Sequence, residues 1–310
     1  MSRAFALASL LALAAAGCGR DAASKPTGPP RVALVLKTLN SPYFIDMQRA
    51  AEAAAREQGI TLIVQAPDRE IDTERQMQIV ENLIQSKVAA LVIAVCGSRE
   101  LVPALVQAKR AGIPVIVVDE ELDAKTAKDA GLAIDGYVGS HNVDGGRAAG
   151  RYLVEASGGR ATVAILEGIP GHEAGDSRLR GFREAIAGSP GIRVAASQTA
   201  NWERDQGFNV FQNLLQAHPQ IDAVFAANDM MALGAIEAIR AAGRTGWIRV
   251  IGFDAIDEAR AAIADGTLAA SVAQFPAEMG RLAVESAVKR LRGEPIPKDQ
   301  RTRIGLVKKD

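Results

Sequence analysis

From Arg31 onward, short apolar runs rich in Val, Ile, Leu and Ala alternate with longer amphipathic stretches, and the connections between them are short. Few folds satisfy that pattern. A run that is apolar throughout suits a strand covered on both faces, and strands separated by helices pair in parallel, so the chain is expected to be α/β, with parallel sheets flanked by helices. Strands are expected at 31–37, 60–65, 90–95, 114–119, 135–140, 161–167, 193–198, 223–226 and 249–253. Helices are expected at 42–58, 72–86, 99–111, 142–155, 174–187, 204–217, 230–242 and 276–291, the first opened by Ser41-Pro42, the third by Ser98 and the fourth by Asn142.

The segment Leu36-Lys-Thr-Leu-Asn-Ser-Pro-Tyr-Phe44 concentrates basic, polar and aromatic side chains where the first strand stops. Ligands of open α/β sheets bind beyond the carboxyl ends of strands, which makes this turn a candidate cleft floor. An internal echo points the same way. Ala108 to Asp119 and Ile239 to Asp254 both run helix, glycine stop, apolar strand, terminal aspartate, which suggests two similar lobes that each present a carboxylate.

At 310 residues the chain has room for two domains, and 36 basic against 36 acidic residues leave no electrostatic footprint for nucleic acid. Residues 1–17 carry one positive charge, an apolar run and then small residues, which reads as an export signal too short to span a bilayer. Ala15-Ala16-Gly17-Cys18 resembles a bacterial lipobox, with Ala15 in place of the usual leucine; plain cleavage after Ala14-Ala15-Ala16 is the rival outcome. Residues 18–30 then form a tether between a lipidated Cys18 and the folded part, placing the protein in the periplasm or cell envelope with only a lipid in the membrane. With Cys18 lipidated, Cys96 has no partner for a disulfide and is expected to pack as a small buried residue.

Catalytic signatures are missing. His141, His172 and His218 have no metal-ligand spacing, and the sequence contains no H-E-x-x-H, C-x-x-C, G-x-G-x-x-G, Walker A or G-x-S-x-G motif. No cofactor, metal or enzymatic activity is expected.

Asn228-Asp-Met-Met-Ala-Leu-Gly234, Ile251-Gly-Phe-Asp254, and the pairing of 36–44 with Val118-Asp119 resemble the periplasmic sugar-binding proteins of the ribose-binding type. The resemblance implies two Rossmann-like lobes joined by three hinge crossings, here 31–140 with 275–302 and 141–274 with 303–310. It also implies a monomer that closes over one sugar and docks on an ABC permease. Its sugar-contacting positions fall on Lys37, Ser41, Tyr43, Phe44, Asp119 and Glu120 in the first lobe. In the second they fall on Asp176, Trp202, Asn228 and Asp254, with Gln274 at a crossing. Ribose binders have serine at Lys37 and arginine at Glu120 and Asp176. Lysine, Asp-Glu, an acidic residue and tryptophan at these places are closer to the D-allose-binding proteins, which have a polar Asn at the contact position where His172 stands here. Arg178 is then expected behind the site, orienting Asp176. Other hexoses, ribose or a polyol such as inositol are alternative ligands, and a receptor or sensor kinase is an alternative partner. A sugar-responsive transcription regulator of the same fold would need a DNA-binding segment where residues 1–30 lie.

Overall fold

The computed structural model describes residues 28–309; the export signal, Cys18 and most of the tether lie outside the described residues. The first half runs β1 (Arg31–Val35), α1 (Pro42–Gln58), β2 (Thr61–Gln65), α2 (Thr73–Gln85), β3 (Ala90–Ile93), α3 (Val102–Arg110), β4 (Val115–Val118), α4 (Ala124–Asp129) and β5 (Gly136–Ser140). The second runs α5 (Asn142–Ala156), β6 (Arg160–Glu167), α6 (Glu173–Ile186), β7 (Gly191–Thr199), α7 (Arg204–Ala217), β8 (Ala223–Ala226), α8 (Asp229–Ala241), β9 (Arg249–Asp254), α9 (Asp257–Asp265) and β10 (Ala270–Ala273). The chain ends with α10 (Pro276–Leu291), β11 (Asp299–Thr302) and β12 (Gly305–Lys308).

Two six-stranded sheets result, ordered β11-β5-β4-β3-β1-β2 and β12-β10-β9-β8-β6-β7. The orders correspond strand for strand. β11 joins β5 in parallel, whereas β12 joins β10 antiparallel, the one break in otherwise parallel sheets. The chain passes between the sheets after β5, after β10 and between β11 and β12, giving two Rossmann-like lobes and three crossings. Because β4 and β9 hold the same place in their sheets, Asp119 and Asp254 are topological counterparts, as the echo in the sequence suggests.

The central strands β3, β4 and β8 are buried at every residue, as strands covered by helices on both faces must be, while the edge strand β2 is half-buried. Elsewhere the structure departs from expectation. The third helix begins at Val102, not near residue 99, because Ser98 is drawn away: its hydroxyl donates to Glu120 Oε1 at 3.1 Å and accepts from Glu173 N at 3.2 Å. Asn142 is the first helical residue and His141 takes the cap position, which frees the Asn142 side-chain oxygen Oδ1 to accept from Arg178 Nε at 2.9 Å. Ser41 stands at the N-cap of α1 through its backbone alone; its side chain makes no capping bond and faces the space between the lobes.

Candidate functional site

Both strand-end turns that carry the counterpart aspartates are strained. Among the described residues, six other than glycine have positive φ, including Asp119 (66°), Trp202 (68°) and Asp254 (115°), which converge on one cavity, with Asn201 and Ala255 beside them. Such conformations cost about 1–3 kcal/mol each and persist where surrounding bonds over-determine them. Those bonds are identifiable. Tyr137 Oη donates to the Asp119 carbonyl at 2.8 Å, and Asn228 Nδ2 donates to the Trp202 carbonyl at 3.1 Å. Asp229, buried completely beneath the site, accepts from Ser271 Oγ at 2.7 Å and Ile256 N at 3.0 Å and so holds the turn that follows Asp254.

The cavity between the lobes is bounded by Lys37, Ser41, Tyr43, Phe44, Glu70 and Asp119 on one side. Ala174, Arg178, Trp202, Asn228, Asp254 and Gln274 bound the other. Tyr43 and Phe44 meet edge to face at 5.2 Å, and the Tyr43 hydroxyl donates to Asp119 Oδ1 at 2.7 Å. Gln274 Nε2 donates to Asp254 Oδ1 at 2.8 Å and leaves its own carbonyl available. The Arg178 guanidinium lies 3.9 Å from the centre of the Phe253 ring, donates to the Ala227 carbonyl at 2.7 Å and stands 3.8 Å from Asp254.

Of the residues singled out in the sequence, Lys37, Ser41, Tyr43, Phe44, Asp119, Trp202, Asn228, Asp254 and Gln274 therefore meet at one place. Asp176 does not. On α6, Ala174 and Arg178 are four residues apart and share the face turned to the cavity, so Asp176, midway between them in sequence, emerges exposed on the opposite side. Arg178 consequently lines the cavity and orients no Asp176. Glu120 and His172 lie beneath its wall and act between the lobes. Glu120 Oε1 accepts from Ala174 N at 2.9 Å and its Oε2 from Lys37 Nζ at 2.7 Å. His172 Nε2 donates to the Cys96 carbonyl at 2.8 Å while Nδ1 accepts from Trp202 Nε1 at 3.3 Å, a pattern that requires the neutral ring. The bonds of Ala174 N to Glu120 and of His172 to Cys96, with Glu173 N on Ser98, join the lobes directly: the conformation is closed. Glu70, on the loop between β2 and α2, had no motif to announce it.

A family model described as a periplasmic binding protein domain matches residues 32–295. The chain belongs to the periplasmic binding protein family. The D-allose-binding periplasmic protein of Escherichia coli is 34% identical to it over 277 residues, 89% of each chain. The ribose import binding protein of Bacillus subtilis is 39% identical over 86% of this chain and 83% of its own. Among solved structures, an ABC transporter periplasmic solute binding protein from Actinobacillus succinogenes with bound D-allose superposes with a TM-score of 0.84 at 41% identity, covering 90% of this chain and 97% of its own.

In this binding protein the cleft is electrically unbalanced. Burial lowers the Lys37 pKa, but the carboxylates of Glu120, Asp119 and Glu70 outweigh it and hold the ammonium charged. Burial raises Glu70 to about 8, against the pull of Lys37, and raises Asp254 despite Arg178 and Gln274. Burial lowers His172 to about 4, with Lys37 adding to the effect. A carboxyl held above its ordinary 4.5 binds its proton more tightly in the closed form than in water. Its contribution to closure is complete below that value and is lost as pH rises toward 8. His172 acts on the acid side, where closure weakens as pH falls from 6.5 toward 4. The sugar-free protein is thus expected to expand as pH is raised from 6 to about 8.5, read as an increasing radius of gyration by X-ray scattering. A constant radius would contradict these proton affinities.

Proposed function

We propose that the protein captures one neutral monosaccharide, a D-allose-like hexose, between its lobes and delivers it to an ABC permease, as an exported protein attached to the envelope through Cys18. The lobes are taken as 31–140 with 275–302 and 141–274 with 303–310. The observation that carries this reading is the cavity wall, where Tyr43 and Phe44 on one side and Trp202 on the other flank a space edged by Glu70, Asp119 and Asp254. A pyranose presents apolar C–H faces and a rim of hydroxyls. Aromatic rings suit the faces, carboxylates accept from the rim, and Lys37 and Arg178 donate to it. As Glu70 and Asp254 ionise, the excess of carboxylates disfavours anionic ligands such as sugar phosphates and uronic acids. The relatives named for D-allose support the choice of hexose, as do the lysine at position 37 and tryptophan at position 202.

Closure follows from the same wall. A sugar bonded simultaneously to Asp119 and Asp254 has more partners in the closed form than in any open one, and only such differential affinity shifts the population. Thermal unfolding against a panel of sugars tests the proposal. At a hundredfold excess over Kd, a ligand adds about 2.7 kcal/mol, so D-allose is expected to raise the melting temperature by about 5 °C or more. A response confined to acidic sugars, or to none of the neutral ones, would refute it.

A further inference from the structure

The loop between β2 and α2 turns its side chains against the usual preference. Ile71 is 52% exposed, whereas Glu70 beside it is 9% exposed and faces the cavity. An aliphatic residue in water next to a carboxylate out of water needs a reason, since burying a charge costs several kcal/mol by order of magnitude unless it is paired. The loop is held in this pose. Thr38 Oγ1 and Asn40 Nδ2 both donate to the Asp68 carbonyl, at 2.9 and 2.8 Å, and the neighbouring Arg69 reaches Glu203 on the other lobe at 3.3 Å.

Within the protein, Glu70 finds no donor. No described residue makes a hydrogen bond to its carboxylate, and the nearest cation, Lys37 Nζ, stands at 3.8 Å. Lys37 spends one N–H on Glu120 at 2.7 Å and lies 3.7 Å from Asp119, so it retains donors directed at the same corner. The corner thus offers an acceptor and a donor side by side, neither satisfied by the other. A hydroxyl fits both, because it donates and accepts through one oxygen. An ammonium group would face Lys37 and, once Glu70 is ionised, a carboxylate would face Glu70, so either is rejected.

Resting on the reading of the cleft as a sugar site, we propose that Glu70 is a specificity-determining residue that receives one hydroxyl of the bound sugar, with Lys37 donating to the same oxygen. The Glu70 carboxyl then reads the presence and direction of that hydroxyl, and it separates neutral sugars from amino sugars and uronic acids.

Calorimetry on the full chain at pH 9, where the Glu70 carboxyl raised to about 8 is ionised, tests this, using the tightest-binding sugar of the panel and its monodeoxy analogues against wild type, E70Q and E70A. In wild type, loss of the hydroxyl that meets Glu70 is expected to weaken binding about 10- to 100-fold, the range for a hydrogen bond to a charged group. E70A weakens the parent sugar by a similar factor and binds that one analogue as it binds the parent, within about twofold. E70Q keeps an acceptor without the charge and falls between the two. Melting temperatures of the sugar-free variants equal to or above wild type separate a lost contact from a damaged fold. E70A with wild-type affinity for the parent and an unchanged pattern across the analogues would overturn the assignment of Glu70. Failure of wild type to bind any neutral sugar would instead overturn the cleft reading on which it rests.

Discussion

Replacing Asp119 with alanine is expected to weaken sugar binding about a thousandfold, the largest loss for any single cleft side chain, as two or more charged hydrogen bonds at roughly 1.5–3 kcal/mol each disappear together. The position explains the size. Asp119 Oδ1 already holds the Tyr43 hydroxyl at 2.7 Å, and Oδ2 lies 3.7 Å from Lys37, so the carboxylate organises an aromatic wall and a cation as well as offering lone pairs to a ligand. Alanine leaves the Tyr43 hydroxyl without its acceptor and takes one of three neighbouring carboxyl groups from Lys37. It also loses the short polar side chain that makes a φ of 66° tolerable. D119N provides the internal comparison: it keeps an acceptor for Tyr43 and the left-handed turn, so it should lose less. Calorimetry on the three proteins reads the difference, and a D119A variant within threefold of wild type would place the ligand elsewhere.

How far such positions can be read without coordinates depends on what sets them. Helix α1 spans Pro42–Gln58, the range expected from sequence, because the signals are local: Ser41 and Pro42 at its start and Gly59 in a left-handed cap at its end. Asp119 and Asp254 were visible for a related reason, as polar residues that end apolar strands. By contrast, β11 reads Asp-Gln-Arg-Thr and has no strand signature at all; it is a strand because it runs beside β5, a tertiary fact. β10, with alanine at both ends of a four-residue strand, is similarly unmarked. The site divides along the same line. Family likeness placed Asp176 at the ligand, but the phase of α6 turns it outward and brings Arg178 in, and phase depends on where a helix starts and what it packs against. Glu70 lies in a loop with no periodicity, and only its distance from Lys37 identifies it.

The phase of α6 is itself set by a contact that can be tested. Helices α5 and α6 cross with their backbones touching. A Cβ on Gly181 would stand 2.0 Å from the Val143 carbonyl oxygen, and one on Gly146 would stand 2.0 Å from that of Arg178. Backbone cannot yield as a flexible side chain can, so G181A is expected to destabilise the protein by about 3 kcal/mol, at the upper end for overpacking, and to lower the melting temperature by roughly 10 °C. G146A should behave alike, and the pair should cost less than the sum, because once the helices have separated the second methyl meets little resistance. The effect carries into the cleft. Pushing α6 away from α5 parts Arg178 Nε from Asn142 Oδ1, now at 2.9 Å, and moves the guanidinium off the Phe253 ring that it covers at 3.9 Å. It also shifts Ala174, whose amide reaches across to Glu120 at 2.9 Å, so closure is weakened together with stability. G181A should therefore lose sugar affinity as well as melting temperature, in calorimetry performed well below the transition. Undiminished stability would mean that the two helices pass at ordinary distance, and that the inward placing of Arg178 has another cause.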